Sequence, residues 1–286
     1  MLEFTKWEGL GNDFIVTEAD WNSFKDPSSL AKKICNRNFG IGADGLVFLT
    51  QQNSASGPAL GMKIWNADGS LAKMCGNALR CLGARAYQMG WLATDQWISF
   101  ETDSGPRSLR LVAPPAAPES LILTADDQPW VEVDMGLPIL AQQQTLFPYA
   151  SATSAQDLVL FPVDMGNPHV VIDGSQLDRA EWHRCSTLLQ TSSLASDGGV
   201  NVEWWSANAD GSLEVWVYER GVGPTLACGT GACAVYAQLA QSLQLSGWVH
   251  LPGGWLKMRL EGQRIFMNGP ARRVFSGQLD GSFEQL

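Results

Sequence analysis

Most of the 286-residue chain alternates apolar and polar positions over short stretches rich in β-branched and aromatic residues. Gly, Pro, Asn or Asp closes most of these stretches, the pattern of half-buried strands joined by turns. Strands are predicted at FIVTEA, LVFL, MKIWN, WISFET, SLRLVA, WVEVDMG, HVVID, VNVEWWS, LEVWVYE, VHLPG, WLKMRLE and RIFMNGP. Two longer stretches change period. Over 77–90, Leu79, Leu82, Ala86 and Met89 recur at helical spacing; over 231–245, Val235, Tyr236, Leu239, Ala240 and Leu243 do the same. Each ends near a glycine, Gly90 or Gly247, as helix C-termini commonly do. Shorter helices are predicted over 28–36 and 177–189.

The two halves echo each other. Each carries NADGS, from Asn66 and from Asn208, and each carries a Cys-Gly at the start of its long apolar helix. An internal duplication accounts for both. The second NADGS reads as a plain hairpin turn, because Asp-Gly favours one. The proline-rich stretch APPAAPE, 113–119, breaks the pattern near the middle and marks the boundary between domains 1–118 and 119–274.

Composition narrows the function. Hydrophobic residues make up 45% of the chain and charged residues 17%, enough to fill two ordinary cores. The net charge is −10 and the 19 Lys and Arg are scattered, so nucleic acid is excluded as a partner. No apolar run approaches the length of a membrane span. The opening MLEFTKWEGL does not read as a secretory signal, and six cysteines without one imply reduced thiols in the cytoplasm. The histidines are His169, His183 and His250, with no HExxH, CxxC or zinc spacing, so no metal is expected. No dinucleotide or phosphate-binding glycine motif occurs, so no cofactor is expected either.

The chemistry concentrates at Met74-Cys75-Gly76-Asn77 and Ala227-Cys228-Gly229-Thr230-Gly231. In each, a cysteine stands where a tight turn enters a helix. A helix N-terminus presents N–H groups and partial positive charge, which lowers a thiol's pKa and can hold a carboxylate. Inverting an amino-acid α-carbon needs a base on one face and an acid on the other, with donors on the carboxylate to stabilise the enolate-like charge. Two thiols at two helix starts supply both. Cys35, Cys81, Cys185 and Cys233 lack this context and read as small buried hydrophobes. His169 is a candidate for tuning a thiol, or else a hydrogen-bonded structural histidine.

The chain resembles the diaminopimelate epimerase family almost end to end. The resemblance rests on GLGNDF (from Gly9), IGADGL (from Ile41), NADGS followed by MCGN, DMGNPH (from Asp164), NVEW (from Asn201), and ERGVG followed by TLACGTGACA. It implies an α+β fold of two pseudo-symmetric domains, each a barrel-like, mostly antiparallel sheet around a central helix, with the active site in the interdomain cleft. It also implies that 275–286 return to the first domain. The implied activity is cofactor-independent epimerisation of LL- to meso-diaminopimelate, in lysine and peptidoglycan precursor synthesis, by a homodimer. Cys75 and Cys228 resemble the acid/base pair. Gly76, Asn77, Gly229 and Thr230 resemble the groups that bind the reacting carboxylate. Asn12, Asn66, Asn167, Asn201, Glu219 and Arg220 resemble the set that holds the distal amino-acid end, where Arg220 suits a carboxylate and Glu219 an ammonium.

Four positions depart from the family pattern. Glu8 stands where His is usual, Pro224 where Glu or Gln is usual, and Ala78-Leu79 where Gly-Ala is usual. A racemase of another amino acid on the same fold would share the two-thiol logic. A thiol-disulfide oxidoreductase would call for CxxC or a nearby resolving cysteine. A binding protein without turnover is the third alternative.

Overall fold

Leu10 and Gly11 both have positive φ, 59° and 81°. They are the two central residues of a tight turn that joins β1 (Leu2–Gly9) to β2 (Asn12–Thr17), with Gly9 opposite Asn12. Such a turn matches the twist of the strands it joins, and it sets Asn12 at the head of β2. The structure is a computed structural model and describes residues 1–54, 57–116, 128–150, 155–175, 177–192 and 199–280. After β2 come α1 (Pro27–Ile34), β3 (Gly45–Ser54), β4 (Gly57–Asn66), β5 (Leu71–Ala72), α2 (Gly76–Gln88), β6 (Ile98–Glu101), β7 (Arg107–Val112) and β8 (Trp130–Gly136). The chain continues with β9 (Ile139–Leu140), β10 (Thr145–Ala150), β11 (Ala155–Asp164), β12 (Pro168–Asp173), α3 (Arg179–Gln190), β13 (Asn201–Ala207), β14 (Leu213–Glu219) and β15 (Gly223–Thr225). It closes with α4 (Gly229–Leu239), β16 (Trp248–Leu251), β17 (Gly254–Glu261), β18 (Arg264–Pro270) and β19 (Arg272–Leu279).

The chain divides into two compact units, Met1–Asp134 with Asn268–Leu286, and Met135–Met267. It passes between them within β8 and β18. From the sequence those passages were expected at 118/119 and 274/275; residues 117–127 lie outside the described residues. The returning strand β19 pairs along β1, from Leu2 opposite Leu279 to Glu8 opposite Arg272.

The duplication runs through the whole order of elements. In the first unit β2 pairs parallel with β3 after the α1 crossover, β3 and β4 form an antiparallel pair, and β4 pairs parallel with β6 after the α2 crossover. In the second, β12 pairs parallel with β13 after α3, β13 is antiparallel to β14, and β14 pairs parallel with β16 after α4. Parallel neighbours need a long crossover, and a helix supplies it each time. The two NADGS turns are built alike. Asn66 Nδ2 donates to Ser70 Oγ at 2.9 Å and Asn208 Nδ2 to Ser212 Oγ at 3.0 Å, and Gly69 and Gly211 take φ of 81° and 77°.

Each unit wraps its strands around one apolar helix. In α2, residues Gly76 to Ala84 and Ala86 are buried, and in α4 all but Thr230 and Gln238 are. A Cβ on Gly83 would stand 2.9 Å from Leu109 and 3.0 Å from Val131, so α2 seats closely on the strands of its own unit. The outer helices cover the other sheet faces. Leu30, Ala31 and Ile34 of α1 pack with Ile15, Leu46, Phe48 and Trp65; Trp182, Cys185 and Leu189 of α3 pack with Val170, Ile172, Val202 and Trp204.

The C-terminus of α2 is as read from the sequence. Gly90 has φ 73°, and the N–H groups of Gly90 and Trp91 bond to the carbonyls of Tyr87 and Ala86. The expected helix over 231–245 is shorter. It ends at Leu239, whose carbonyl accepts the N–H groups of Ser242 and Leu243 at 3.0 and 2.9 Å in a closing turn. Gly247 instead stands before β16, its carbonyl accepting from Met258 N–H at 2.7 Å. The strands missed in the sequence are chiefly β1, β10, β11 and β19.

Candidate active site

Cys75 and Cys228 are the N-cap residues of α2 and α4, both in extended backbone conformation. Both helices therefore direct first-turn N–H groups and positive partial charge past a cysteine, as the Cys-Gly pairs predicted. The two thiols are used differently. Cys228 Sγ caps its own helix, accepting the Gly231 N–H at 3.4 Å, with Thr230 Oγ1 also 3.4 Å away. Cys75 does not cap α2; its Sγ lies 3.8 Å from Asn12 Oδ1. Cys228 is buried at 7% exposure, whereas Cys75 is part-exposed.

Helix position predicts a lowered thiol pKa, and at Cys228 the surroundings reverse it. Burial, then the carboxylates of Glu219 and Glu203, push the Cys228 thiol well above its ordinary value, and the bonds from Thr230 and Gly231 only partly offset them. Desolvation is the larger effect because the sulfur is shut away from water, while the helix end supplies only fractional charge. The four remaining cysteines, Cys35, Cys81, Cys185 and Cys233, are buried as expected. Burial pushes Cys35 and Cys185 up to about 12 and Cys81 higher still.

Around Cys75, Asn12 Nδ2 donates to Asp44 Oδ2 at 2.7 Å, and Asn12 Oδ1 accepts from Asn77 Nδ2 at 3.2 Å. Asn77 Oδ1 in turn accepts from Arg80 Nη1 at 2.8 Å, and Arg80 has no exposed surface. Ala78, one of the departures from the family pattern, is fully buried. Glu8, another, accepts the Gly11 N–H at 2.9 Å and pairs with Arg272 at 2.7 Å, tying the first hairpin to β19. Asn66 is exposed at its turn, at the end of β4 opposite Gly45.

Around Cys228, Asn167 Nδ2 reaches Thr230 Oγ1 at 3.4 Å and its Oδ1 lies 3.0 Å from His169 Nε2. His169 Nδ1 meets Glu203 Oε1 at 2.7 Å. His169 thus connects to the thiol through Asn167 and Thr230. Asn201 stands opposite His169 in the β12–β13 register, accepts the Arg220 N–H at 3.0 Å, and donates to the Pro168 carbonyl at 2.9 Å. Glu219 accepts from Thr225 Oγ1 at 2.6 Å across the β14–β15 pair, where Pro224 faces Tyr218, and the side chain of Arg220 is exposed. Gly231 is required by a close approach: a Cβ there would lie 2.7 Å from Glu203 Oε1.

The first unit thus gathers Asn12, Cys75, Gly76 and Asn77, and the second gathers Asn167, His169, Asn201, Glu219, Cys228, Gly229 and Thr230. Sequence reasoning passed over Asp44, Arg80 and Glu203. Asp44 and Glu203 lie inside the quoted blocks IGADGL and NVEW, and Arg80 just after MCGN, but a single charged residue there carries no sign of burial. Among the described residues no cluster of His, Cys, Asp and Glu is arranged to hold a metal ion, and no helix is long and apolar enough to cross a membrane.

Known proteins resemble this chain along almost its whole length. A profile of the family described as diaminopimelate epimerase matches residues 4–139 and 161–274. The chain is 37% identical over 290 residues to the diaminopimelate epimerase of Desulforudis audaxviator, covering 97% of this chain and 99% of that protein. It is 38% identical over 292 residues to that of Carboxydothermus hydrogenoformans, with the same coverage. A hydroxyproline epimerase from Agrobacterium vitis shares the fold, with a TM-score of 0.67 at 12% identity over 99% of this chain and 93% of that one. With matches of this extent, the chain belongs to the diaminopimelate epimerase family and is an isomerase.

Proposed function

We propose that this enzyme interconverts LL- and meso-2,6-diaminopimelate without a cofactor, using Cys75 and Cys228 as an acid/base pair on opposite faces of one α-carbon. The observation that carries the reading is that each repeat sets a cysteine at the N-cap position of its buried central helix. A thiolate on one face takes the α-proton and becomes a thiol. The opposing thiol gives its proton to the other face and becomes the thiolate. Protons and charge balance, and the enzyme is left poised for the reverse reaction. The first-turn N–H groups after Cys75 and Cys228, at Gly76-Asn77 and Gly229-Thr230, stabilise the charge that develops on the reacting carboxylate. Asn12, Asn66, Asn167, Asn201, Glu219 and Arg220 hold the distal amino-acid end, the exposed guanidinium of Arg220 facing its carboxylate. Full-length relatives at 34–38% identity, all called diaminopimelate epimerase, favour this substrate over other amino acids. The product serves lysine and peptidoglycan precursor synthesis, and the enzyme works in the cytoplasm as a homodimer.

The test is proton exchange in D2O with LL-diaminopimelate. The expected result is meso product carrying one solvent deuterium at the inverted carbon, in enzyme treated with chelator and free of added cofactor. Absence of both exchange and inversion with this substrate, alongside turnover of another amino acid, would reject the reading.

A further inference from the structure

A row of side chains runs from Arg80 and Asn77 of α2 through Asn12 of β2 to Asp44, and its two ends can each play only one part. At one end the Arg80 guanidinium can only donate, and its Nη1 donates to Asn77 Oδ1 at 2.8 Å. Asn77 Nδ2 donates to Asn12 Oδ1 at 3.2 Å, and Asn12 Nδ2 donates to Asp44 Oδ2 at 2.7 Å. At the other end the Asp44 carboxylate can only accept, and it also takes the Asp13 N–H at 3.0 Å and Arg37 Nη2 at 2.8 Å. A side-chain amide is ordinarily free to exchange its oxygen and nitrogen by turning over. Here turning Asn12 would set its oxygen against a carboxylate, and turning Asn77 would set its NH2 against a guanidinium. Either charged end alone is enough to fix both amides.

The consequence falls on the thiol. Asn12 Oδ1 is the atom 3.8 Å from Cys75 Sγ. A carbonyl oxygen accepts an S–H, but gives a thiolate no hydrogen bond. Cys228 meets the opposite chemistry, a backbone N–H that favours the thiolate. We propose that Asp44 and Arg80 are positioning residues: together they lock Asn12 as an acceptor and so hold Cys75 as a hydrogen-bearing thiol. Neither touches the reacting atoms. The catalytic sense of this lock rests on the reading of Cys75 as an acid/base group, while its effect on Cys75 ionisation does not. The other charged groups on the strands around the start of α2 are paired among themselves, Glu8 with Arg272, and Lys6 with Asp13, which also binds Arg37.

A double-mutant cycle tests the lock. The rate of Cys75 alkylation by iodoacetamide, followed by peptide mass spectrometry across pH, reports its thiolate fraction without reading turnover. Asp44→Ala removes a negative charge and speeds alkylation; Arg80→Met removes a positive one and slows it. These field effects multiply. Only release of the amides lets the double variant exceed the product of the singles, by about five-fold, the worth of one ordinary hydrogen bond. A double variant equal to that product overturns the proposal. Arg80 is buried, so if Arg80→Met fails to fold, Asn77→Ala cuts the same end of the row with Arg80 kept, and the same excess is expected. If the unsubstituted enzyme does not epimerise diaminopimelate but the excess is found, the functional reading fails and the lock stands.

Discussion

His169 Nδ1 lies 2.7 Å from Glu203 Oε1, and neither side chain has any exposed surface. The other carboxylate oxygen, Oε2, is buried with no hydrogen-bond partner among the described residues. Glu203 also fills the space beside Gly231 at the start of α4. Removing the imidazole therefore leaves a buried carboxylate with nothing to answer it. His169→Leu is expected to cost about 3–5 kcal/mol in urea unfolding. Replacing both partners, His169→Leu with Glu203→Leu, should recover most of that loss, because no charge is then left buried. A double variant as unstable as the sum of the singles would show that the two residues act separately.

Cys228 should be a slow nucleophile in the enzyme without substrate. Burial and the Glu219 and Glu203 carboxylates push its thiol up, so the thiolate fraction at pH 7 to 8 is below that of an ordinary cysteine. Iodoacetamide should alkylate it more slowly than free cysteine at pH 8, with the rate still climbing above pH 9. Glu219→Gln removes a nearby negative charge and should speed the reaction at fixed pH. Alkylation of Cys228 at pH 7 faster than that of free cysteine would contradict this account.

How much of this was legible beforehand depends on the kind of signal. Helical spacing located α2 and α4, and strand-like stretches marked the inner strands, because burial of one face imposes those periods on the sequence; shorter helices were also expected where α1 and α3 form. Strands β1, β10, β11 and β19 escaped because their patterns are mixed. Arg272 to Phe275 of β19 are all exposed, and β10 carries Pro148, which donates no ladder bond. The two cysteines were legible because glycines beside them mark a helix start. The rise in the Cys228 pKa was not, since it comes first from burial and then from Glu219 and Glu203, on strands that only the fold brings to the thiol. Asp44, Arg80 and Glu203 stayed hidden for the same reason: each matters through a partner distant in sequence or through burial.

Asp13 should make the first unit sensitive to acid. Burial works to raise its carboxyl, and bonds from Arg37 and Lys6 override it, holding the group at about 2 against an ordinary 3.8. The folded value is depressed, so the stabilisation is complete above the unfolded pKa and is lost as pH falls toward the folded one. The window is pH 4 to 2, and the loss is about 2 kcal/mol. Asp13→Asn should be less stable than the unsubstituted protein at pH 6 and should lack this part of the acid loss. Parallel stability curves for the two proteins from pH 6 to 2 would remove Asp13 from the account.

Single-thiol variants separate the two faces. Inversion needs a base and an acid on opposite sides, so Cys75→Ala and Cys228→Ala should each lower epimerisation by about a hundred- to ten-thousand-fold, the range of a lost general acid or base. Cys→Ser at either position should restore little, because a serine hydroxyl is seldom ionised near neutral pH. Loss of activity alone does not distinguish a missing base from a damaged site. Partial reactions do. Each variant retains one thiol, so each should still exchange the α-proton of one stereoisomer while leaving the other inert, and the two variants should choose opposite stereoisomers. A diaminopimelate analogue with a leaving group beside the α-carbon gives a second readout, since proton removal then ends in elimination and needs no acid on the far face. The same stereochemical preference in both variants would mean that one thiol serves both faces. Undiminished epimerisation in either variant, with absence of the thiol confirmed by mass spectrometry, would reject the two-thiol mechanism.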